Sequence, residues 1–444
     1  MGALLVTFAS LLPSLALTNA LPEREIAFLA GLSGVLVVVQ GANRILVPNA
    51  DPVLLPVALV LNGLGYVMIN RIDPTSGSRQ LIWTVLGVGS YVTTLLIVKR
   101  SRDLERYRFI ILFVAFGLLV SPLVPGIADS AANINGTKLW IGIGGIATFQ
   151  PIELVKLLLV IFFASYFVEK RELFTIPTRR VGNHLLPDLR AFGPITVAAV
   201  MSLVVILAER DIGFALLLFV VFLAMLWVTT GRWTYVVIGF VAFIAAMLIA
   251  NQLLAVVNAR IELWIDPWRY YNTSGYYAGF QPVQAELAFG RGGLFGTGLG
   301  LGLSASPAVL PIATSDMIFA VFGEELGLLG TSALVAAFLL MAGAGFRAAI
   351  RARSEFAKLV ALGLTATLTF QAVFIFAGVI RLLPLTGVTL PFVSYGGSSL
   401  LANYVLLALL MRISDEGNMP QGSLDAMDAW NSTSSAAVTG TSSR

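Results

Sequence analysis

From its first residues to about residue 412 the sequence is a succession of continuous apolar stretches, each about 17 to 25 residues long and so able to cross a hydrocarbon layer of about 30 Å as a helix. Strands of a membrane barrel would be about ten residues long with a period of two, so helices are the expected element. About twelve spans are expected, near residues 3–20, 26–46, 52–70, 80–98, 108–125, 148–168, 191–209, 212–230, 233–253, 317–344, 357–380 and 390–412. Only 12% of the residues are charged and 57% are hydrophobic, against about 25% charged in a soluble domain. The expected fold class is an all-α integral membrane protein, a polytopic bundle from which no soluble domain can be cut.

Three connections are strongly basic: 99–108, 169–190 and 346–358. The positive-inside rule places all three in the cytoplasm, and they are every second loop, so the assignment is self-consistent. The loops at about 126–138 and 254–316 are then outside and the C-terminus inside. Residues 1–75 read as N-terminal spans, 76–412 as the core, and 413–444 as a polar, Ser- and Thr-rich cytoplasmic tail expected to be disordered. The first span could also be a cleaved signal peptide, although it lacks a basic start.

Composition narrows the chemistry. The chain has no cysteine and a single histidine, His184, which disfavours thiolate nucleophiles, histidine metal sites and a Ser-His-Asp triad. Catalysis would rest on carboxylates and basic groups. The net charge of +4 lies in short loops and reads as topology, not as a nucleic-acid surface.

Connections longer than about 15 residues are usually functional or disordered, and 254–316 is by far the longest. It holds Trp264, Trp268, Tyr270, Tyr271, Tyr276, Tyr277 and Phe280, suited to a membrane interface, and the glycine series GRGGLFGTGLGLG at 290–302. No strand precedes those glycines, so they are not read as a dinucleotide fingerprint. Asp266 precedes a proline, a common turn former; beside tryptophans in a partly dry interface it would also suit a general base. Charges inside spans mark sites or internal pairs. Glu153 and Lys156 fall on one helix face near the outer end of the sixth span; Glu209, Arg210 and Asp211 crowd a short outer loop; Glu324 and Glu325 lie in the tenth span; Lys138 and Arg381 sit at outer ends. Structural ion pairing accounts for any one of them as well as catalysis does. Together they could hold a diphosphate through cations and a hydroxyl through carboxylates.

Five segments in order then resemble one family closely, the shape, elongation, division and sporulation proteins such as RodA and FtsW: NGTKLWIGIGGIATFQPIELVK (135–156), ERDIGFALLLF (209–219), FGRGGLFGTGLGLG (289–302), SDMIFAVFGEELGLLG (315–330) and LPLTGVTLPFVSYGGSSLLANY (383–404). The resemblance covers about residues 80 to 412, and two further N-terminal spans before a ten-helix core look like the actinobacterial branch. It implies a peptidoglycan glycosyltransferase that polymerises lipid II on the outer face of the cytoplasmic membrane during elongation or division, with a class B penicillin-binding protein as partner. It also implies an essential aspartate in the long outer loop and a conserved pair matched by Glu153 and Lys156. One departure stands out. The family commonly has two Asp/Asn-Pro elements there, the second carrying the essential aspartate; here Asp266-Pro267 matches the first, and YYNTSGYYAGFQ, without a carboxylate, replaces the second. The expected catalytic set is Asp266, Glu153 and Lys156, with Glu153 and Glu325 as the fallback carboxylates for Asp266, and the expected substrate-binding set is Lys138, Arg210, Arg291, Glu324, Glu325, Arg381 and Ser398. No cofactor is required by the reading, although a divalent cation, Mg or Mn, could bridge carboxylate and phosphate oxygens. The rivals are a flippase for the same lipid and a non-catalytic scaffold for the transpeptidase.

Overall fold

In the computed structural model, residues 34, 37–124, 140–143, 147–171, 179–181, 184–186, 211–273, 278–306 and 309–420 are described. After a helical stretch at 37–46 come α1 (Leu54–Ile72), α2 (Pro74–Ile97), α3 (Arg108–Val120), α4 (Ile152–Glu169), α5 (Ile212–Thr230), α6 (Trp233–Leu253), α7 (Ala255–Ile265), α8 (Phe280–Gly292), α9 (Ile318–Arg351), α10 (Glu355–Val379) and α11 (Gly397–Asn418). Strand is confined, among the described residues, to two antiparallel hairpins, Ile141–Ile143 with Ala147–Phe149 and Arg179–Val181 with His184–Leu186.

Helices α1, α2, α5, α6, α9, α10 and α11 are long and apolar enough to cross a membrane. Two other expected spans are less so: α3 has 13 residues, and α4 carries Glu153, Lys156 and Glu169 within its 18. The spans expected at 3–20 and 191–209, and the start of that at 26–46, lie outside the described residues, so the count of twelve stays an expectation.

Local sequence sets the helix boundaries. Asp73 accepts from the Thr75 and Ser76 amides at 3.0 and 3.1 Å, and Pro74 follows as the first helical residue, which starts α2 one residue after α1 ends. Gly231, at φ +67°, ends α5. In the bundle α11 lies along α2, α9 along α10, and α10 also meets α4 and α5. Helix α6 is the contrast: Trp233, Val237, Phe240, Val241, Ile244 and Leu248 are all exposed. In water that would be an unusually large apolar patch, whereas in hydrocarbon it is the solvated face.

One end of the bundle gathers the basic connections. The buried Arg412 donates to the carbonyls of Leu46, Leu95 and Val98 at 2.8, 2.7 and 2.9 Å, covering the last turns of 37–46 and α2. Arg347 pairs with Asp51 at 3.1 Å, and Arg108 pairs with Glu169. Residues 99–108 and 346–358 therefore share this end with the end of α4, as the alternation of basic loops requires. Helix α11 runs on to Asn418 instead of stopping near 412, because Asp415 is buried and accepts from the Asn49 amide at 2.7 Å. The tail from 421 onward lies outside the described residues.

The long connection after α6 is helical through much of its first part. It holds α7, the 3-10 turn Trp268–Tyr270 and α8, before the glycine loop. That loop fills a break in α9 at Gly327 (φ +65°, ψ −164°). The amides of Thr297 and Gly298 donate to the carbonyls of Glu324 and Glu325 at 2.9 and 3.1 Å, while the Leu328 and Leu329 amides donate to Gly293 and Leu294 carbonyls at 3.0 and 3.2 Å. The loop thereby satisfies backbone groups that the broken helix would leave unpaired in a dry interior.

Candidate active site

At the end opposite the basic loops, a pocket opens among the starts of α4 and α5, the later turns of α10 and the 387–389 segment. Its polar lining is Gln150, Glu153, Lys156, Asp211, Gln371 and Thr389, with Ile152, Phe214 and Leu217 as apolar wall. Helix periodicity puts Glu153 and Lys156 on the same side of α4, and both are buried, 8% and 3% exposed. A lone buried charge would be expensive here, so each is paired: Lys156 Nζ lies 2.5 Å from Glu153 Oε2 and 2.8 Å from Gln371 Oε1. Gln371 is itself held, its Nε2 donating to the Thr389 carbonyl at 2.7 Å. Ser398, at the start of α11, accepts from the Gln150 amide at 2.8 Å and so fixes the pocket wall.

Asp211 caps α5, its carboxylate accepting from the Phe214 amide at 2.9 Å. Desolvation raises its proton affinity, with Glu153 adding to the rise and the capping bond and Arg260 opposing it. Arg260, from α7, donates to the Leu385 and Thr386 carbonyls at 3.2 and 2.8 Å and lies beside Gly387, as does Asp316. Burial pushes Asp316 from the usual 3.8 up to about 6, Arg260 offsetting part of the effect and Asp211 adding to it.

That shift has a consequence for stability. A folded state that holds the Asp316 proton more tightly than the unfolded chain is favoured by protonation, so this contribution is present below the ordinary value of 3.8 and is lost as pH rises through about 6. In Asp316→Asn the fall in unfolding midpoint between about pH 5 and about pH 7 should shrink, as measured by thermal unfolding in detergent. Equal pH slopes in the two proteins would contradict the assignment.

The other expected residues are placed as follows. Asp266 ends α7 with an exposed side chain that accepts from the Arg269 amide at 3.2 Å, outside the lining of the pocket. Its neighbour Trp264 donates to the Arg381 carbonyl at 3.1 Å, and Arg381 pairs with Glu286 of α8 at 2.7 Å, so this corner docks α7 and α8 on the end of α10. Arg291 pairs with Glu324 at 2.5 Å; Glu324 also accepts from the Ser304 amide at 2.7 Å, and Glu325 pairs with Arg71. These two glutamates hold the glycine loop. Lys138 and Arg210 lie outside the described residues. Among the described residues no group of three or more His, Asp or Glu side chains could hold a metal ion.

The sequence did not single out Gln371, Thr389, Arg260 or Asp316. A neutral glutamine in TLTFQAVF carries no signal by itself. The one available hint for Asp316 was its place in SDMIFAVFGEELG.

A family model described as cell cycle protein, FtsW/RodA/SpoVE, matches residues 54–419. Similar proteins include peptidoglycan glycosyltransferase RodA of Mycobacterium leprae, 40% identical, with 94% of this chain and 90% of that protein covered. A probable peptidoglycan glycosyltransferase FtsW of Geobacter sulfurreducens is 32% identical, with coverages of 84% and 97%. Among solved structures, a chain of a peptidoglycan synthase complex that coordinates polymerization and crosslinking matches with a TM-score of 0.64 at 23% identity, covering 84% of this chain and 99% of its own. The rod shape determining protein RodA of Thermus thermophilus matches with a TM-score of 0.56 at 24% identity, covering 84% and 98%. At such identities the two structures bear on the fold alone.

Proposed function

We infer, because the chain belongs to the FtsW/RodA/SpoVE family of cell cycle proteins, that it is a peptidoglycan glycosyltransferase working at the bundle end opposite its basic loops. The observation that carries the reading is the buried Glu153–Lys156 pair lining a pocket at that end. The positive-inside rule puts the basic loops in the cytoplasm, so the pocket faces the exterior of the cytoplasmic membrane. The substrate is lipid II, whose polyprenyl tail would lie along the apolar flank of the bundle. The partner is a class B penicillin-binding protein of the elongation or division machinery.

In the reaction, the acceptor sugar's 4-hydroxyl attacks the donor's anomeric carbon, the bond to undecaprenyl diphosphate breaks with inversion, and the hydroxyl proton passes to a carboxylate. Negative charge grows on the departing diphosphate. The Lys156 ammonium and the N-terminal ends of α4 and α5 would stabilise it there. A Mg or Mn ion brought in on the diphosphate would add positive charge, but no step here depends on one. We assign the base to Asp266, on the loop that bears the family's aspartate. A second reading gives that role to Asp211, because it lines the pocket and its proton affinity is raised, which suits a base near neutral pH.

Strand synthesis from lipid II in detergent decides between them. Asp266→Ala should lower the rate by about 100-fold or more while Asp211→Asn has a smaller effect. The reverse order would move the base into the pocket. Because detergent abolishes sidedness, a flippase or a scaffold would make no strands at all.

A further inference from the structure

We propose that Gln371 is a positioning residue for the Lys156 ammonium, a neutral clamp that orients the cation without cancelling its charge. The premise is that Lys156 binds substrate, as proposed above. Three separate parts of the chain meet at this point: Lys156 from α4, Gln371 from α10 and Thr389 from the segment before α11. Gln371 is 1% exposed. Its amide has a single workable orientation. The carbonyl oxygen accepts from Lys156 Nζ at 2.8 Å and the NH2 donates to the Thr389 carbonyl at 2.7 Å; the flipped amide would set NH2 against an ammonium and oxygen against oxygen.

An ammonium has three N–H donors. Among the described residues Glu153 takes one and Gln371 a second, which leaves one for a ligand in the pocket that all three residues line. The chemistry of the two acceptors differs. Glu153 already balances the charge of Lys156 and Asp211 also lines the pocket, so a further carboxylate on the ammonium would add negative charge and oppose an anionic diphosphate. A carbonyl oxygen fixes the same cation and adds no charge. Because Gln371 is tied to Thr389, the position of the ammonium is also coupled to the 387–389 wall of the pocket. A rotamer-rich lysine held on both sides is aimed before the substrate arrives, which removes an ordering cost from the reaction.

The test compares Gln371→Met, which keeps length and volume but offers no acceptor, with Gln371→Glu. The glutamate keeps an oxygen for Lys156 in either protonation state. Strand synthesis from lipid II by the full chain with its transpeptidase partner is expected to fall about 30- to 100-fold in kcat for Gln371→Met, a loss of the size produced by a misplacement of about 1 Å. Gln371→Glu should recover most of kcat and show a raised KM from the added charge. Thermal unfolding in detergent should differ little between the two variants.

A second readout needs no activity. The rate at which an amine-reactive reagent modifies Lys156, followed by mass spectrometry with Lys170 as internal reference, should rise several-fold in Gln371→Met and stay near wild type in Gln371→Glu. If Lys156 reactivity is unchanged in Gln371→Met, or kcat is, the clamp is wrong. If the glutamate is as poor as the methionine, Gln371 serves the Thr389 wall instead, which also overturns the proposal. If Lys156→Met is fully active, the pocket reading has failed while the labelling result still decides whether Gln371 holds the lysine.

Discussion

Replacing Lys156 with methionine is expected to reduce strand synthesis from lipid II by about 100- to 1000-fold, the range seen when one preorganised donor to a developing oxyanion is removed. Methionine fills nearly the same volume, so the cavity and the helix packing survive. What is lost is the one cation among the described residues that line the pocket. The change also strands two acceptors, Glu153 and the Gln371 carbonyl, in a site where Glu153 is 8% exposed. An uncompensated buried carboxylate costs about 3 to 5 kcal/mol or takes up a proton. The double variant Glu153→Gln/Lys156→Met should therefore unfold at a higher temperature than Lys156→Met alone, yet be equally inactive. Equal instability of the two would mean that the pair is better solvated than its burial indicates. Retained activity in Lys156→Met would remove the pocket from the mechanism.

The second large effect is on folding. Gly296→Ala should destabilise the chain by about 3 kcal/mol or more, enough to lower the yield of folded protein and its unfolding temperature in detergent. Gly296 sits at φ +85°, and a Cβ there would lie 2.1 Å from the Glu325 carbonyl oxygen. Neither neighbour can give way cheaply, because the same loop supplies the amides that satisfy the Glu324 and Glu325 carbonyls at the break in α9. Gly290 is the control. It lies within α8 with open space around its Cβ direction, so Gly290→Ala should be neutral or stabilising by about 0.5 to 1 kcal/mol. If both alanines behaved alike, the glycine loop would not be the plug described above.

What the sequence disclosed follows from which interactions are local. Continuous apolar length marked α1, α5, α6 and α10 to within a few residues, whereas α2 starts at Pro74 and not near 80, α9 runs on to Arg351 past 344, and α11 spans Gly397–Asn418 in place of 390–412, starting after the non-helical segment that forms the pocket wall. Alternating basic loops predicted which ends coincide, and the Arg412 and Arg347 contacts agree. Glu153 and Lys156 were legible as a pair because a spacing of three on one helix is itself a contact. Gln371 was not, since it meets Lys156 across 215 residues of sequence and depends on how α10 packs against α4. Arg291 with Glu324, and Arg381 with Glu286, meet the same limit. The sequence marked Glu324 and Arg381 as costly charges and Arg291 as a substrate-binding cation, but their ion partners, supplied by α8 and α9 after folding, could not be read from spacing. The glycine series was informative in composition yet silent about its purpose, because the need it meets is a break in a helix 30 residues later.

The central claim is that this pocket polymerises lipid II. The most direct measurement is the glycan product formed from lipid II in detergent by the purified chain with its transpeptidase partner. The account predicts strands many disaccharides long from the wild-type protein, and about 100- to 1000-fold slower synthesis by Lys156→Met. Folded wild-type protein that leaves lipid II unpolymerised, yet moves it between the leaflets of a vesicle, would contradict the account.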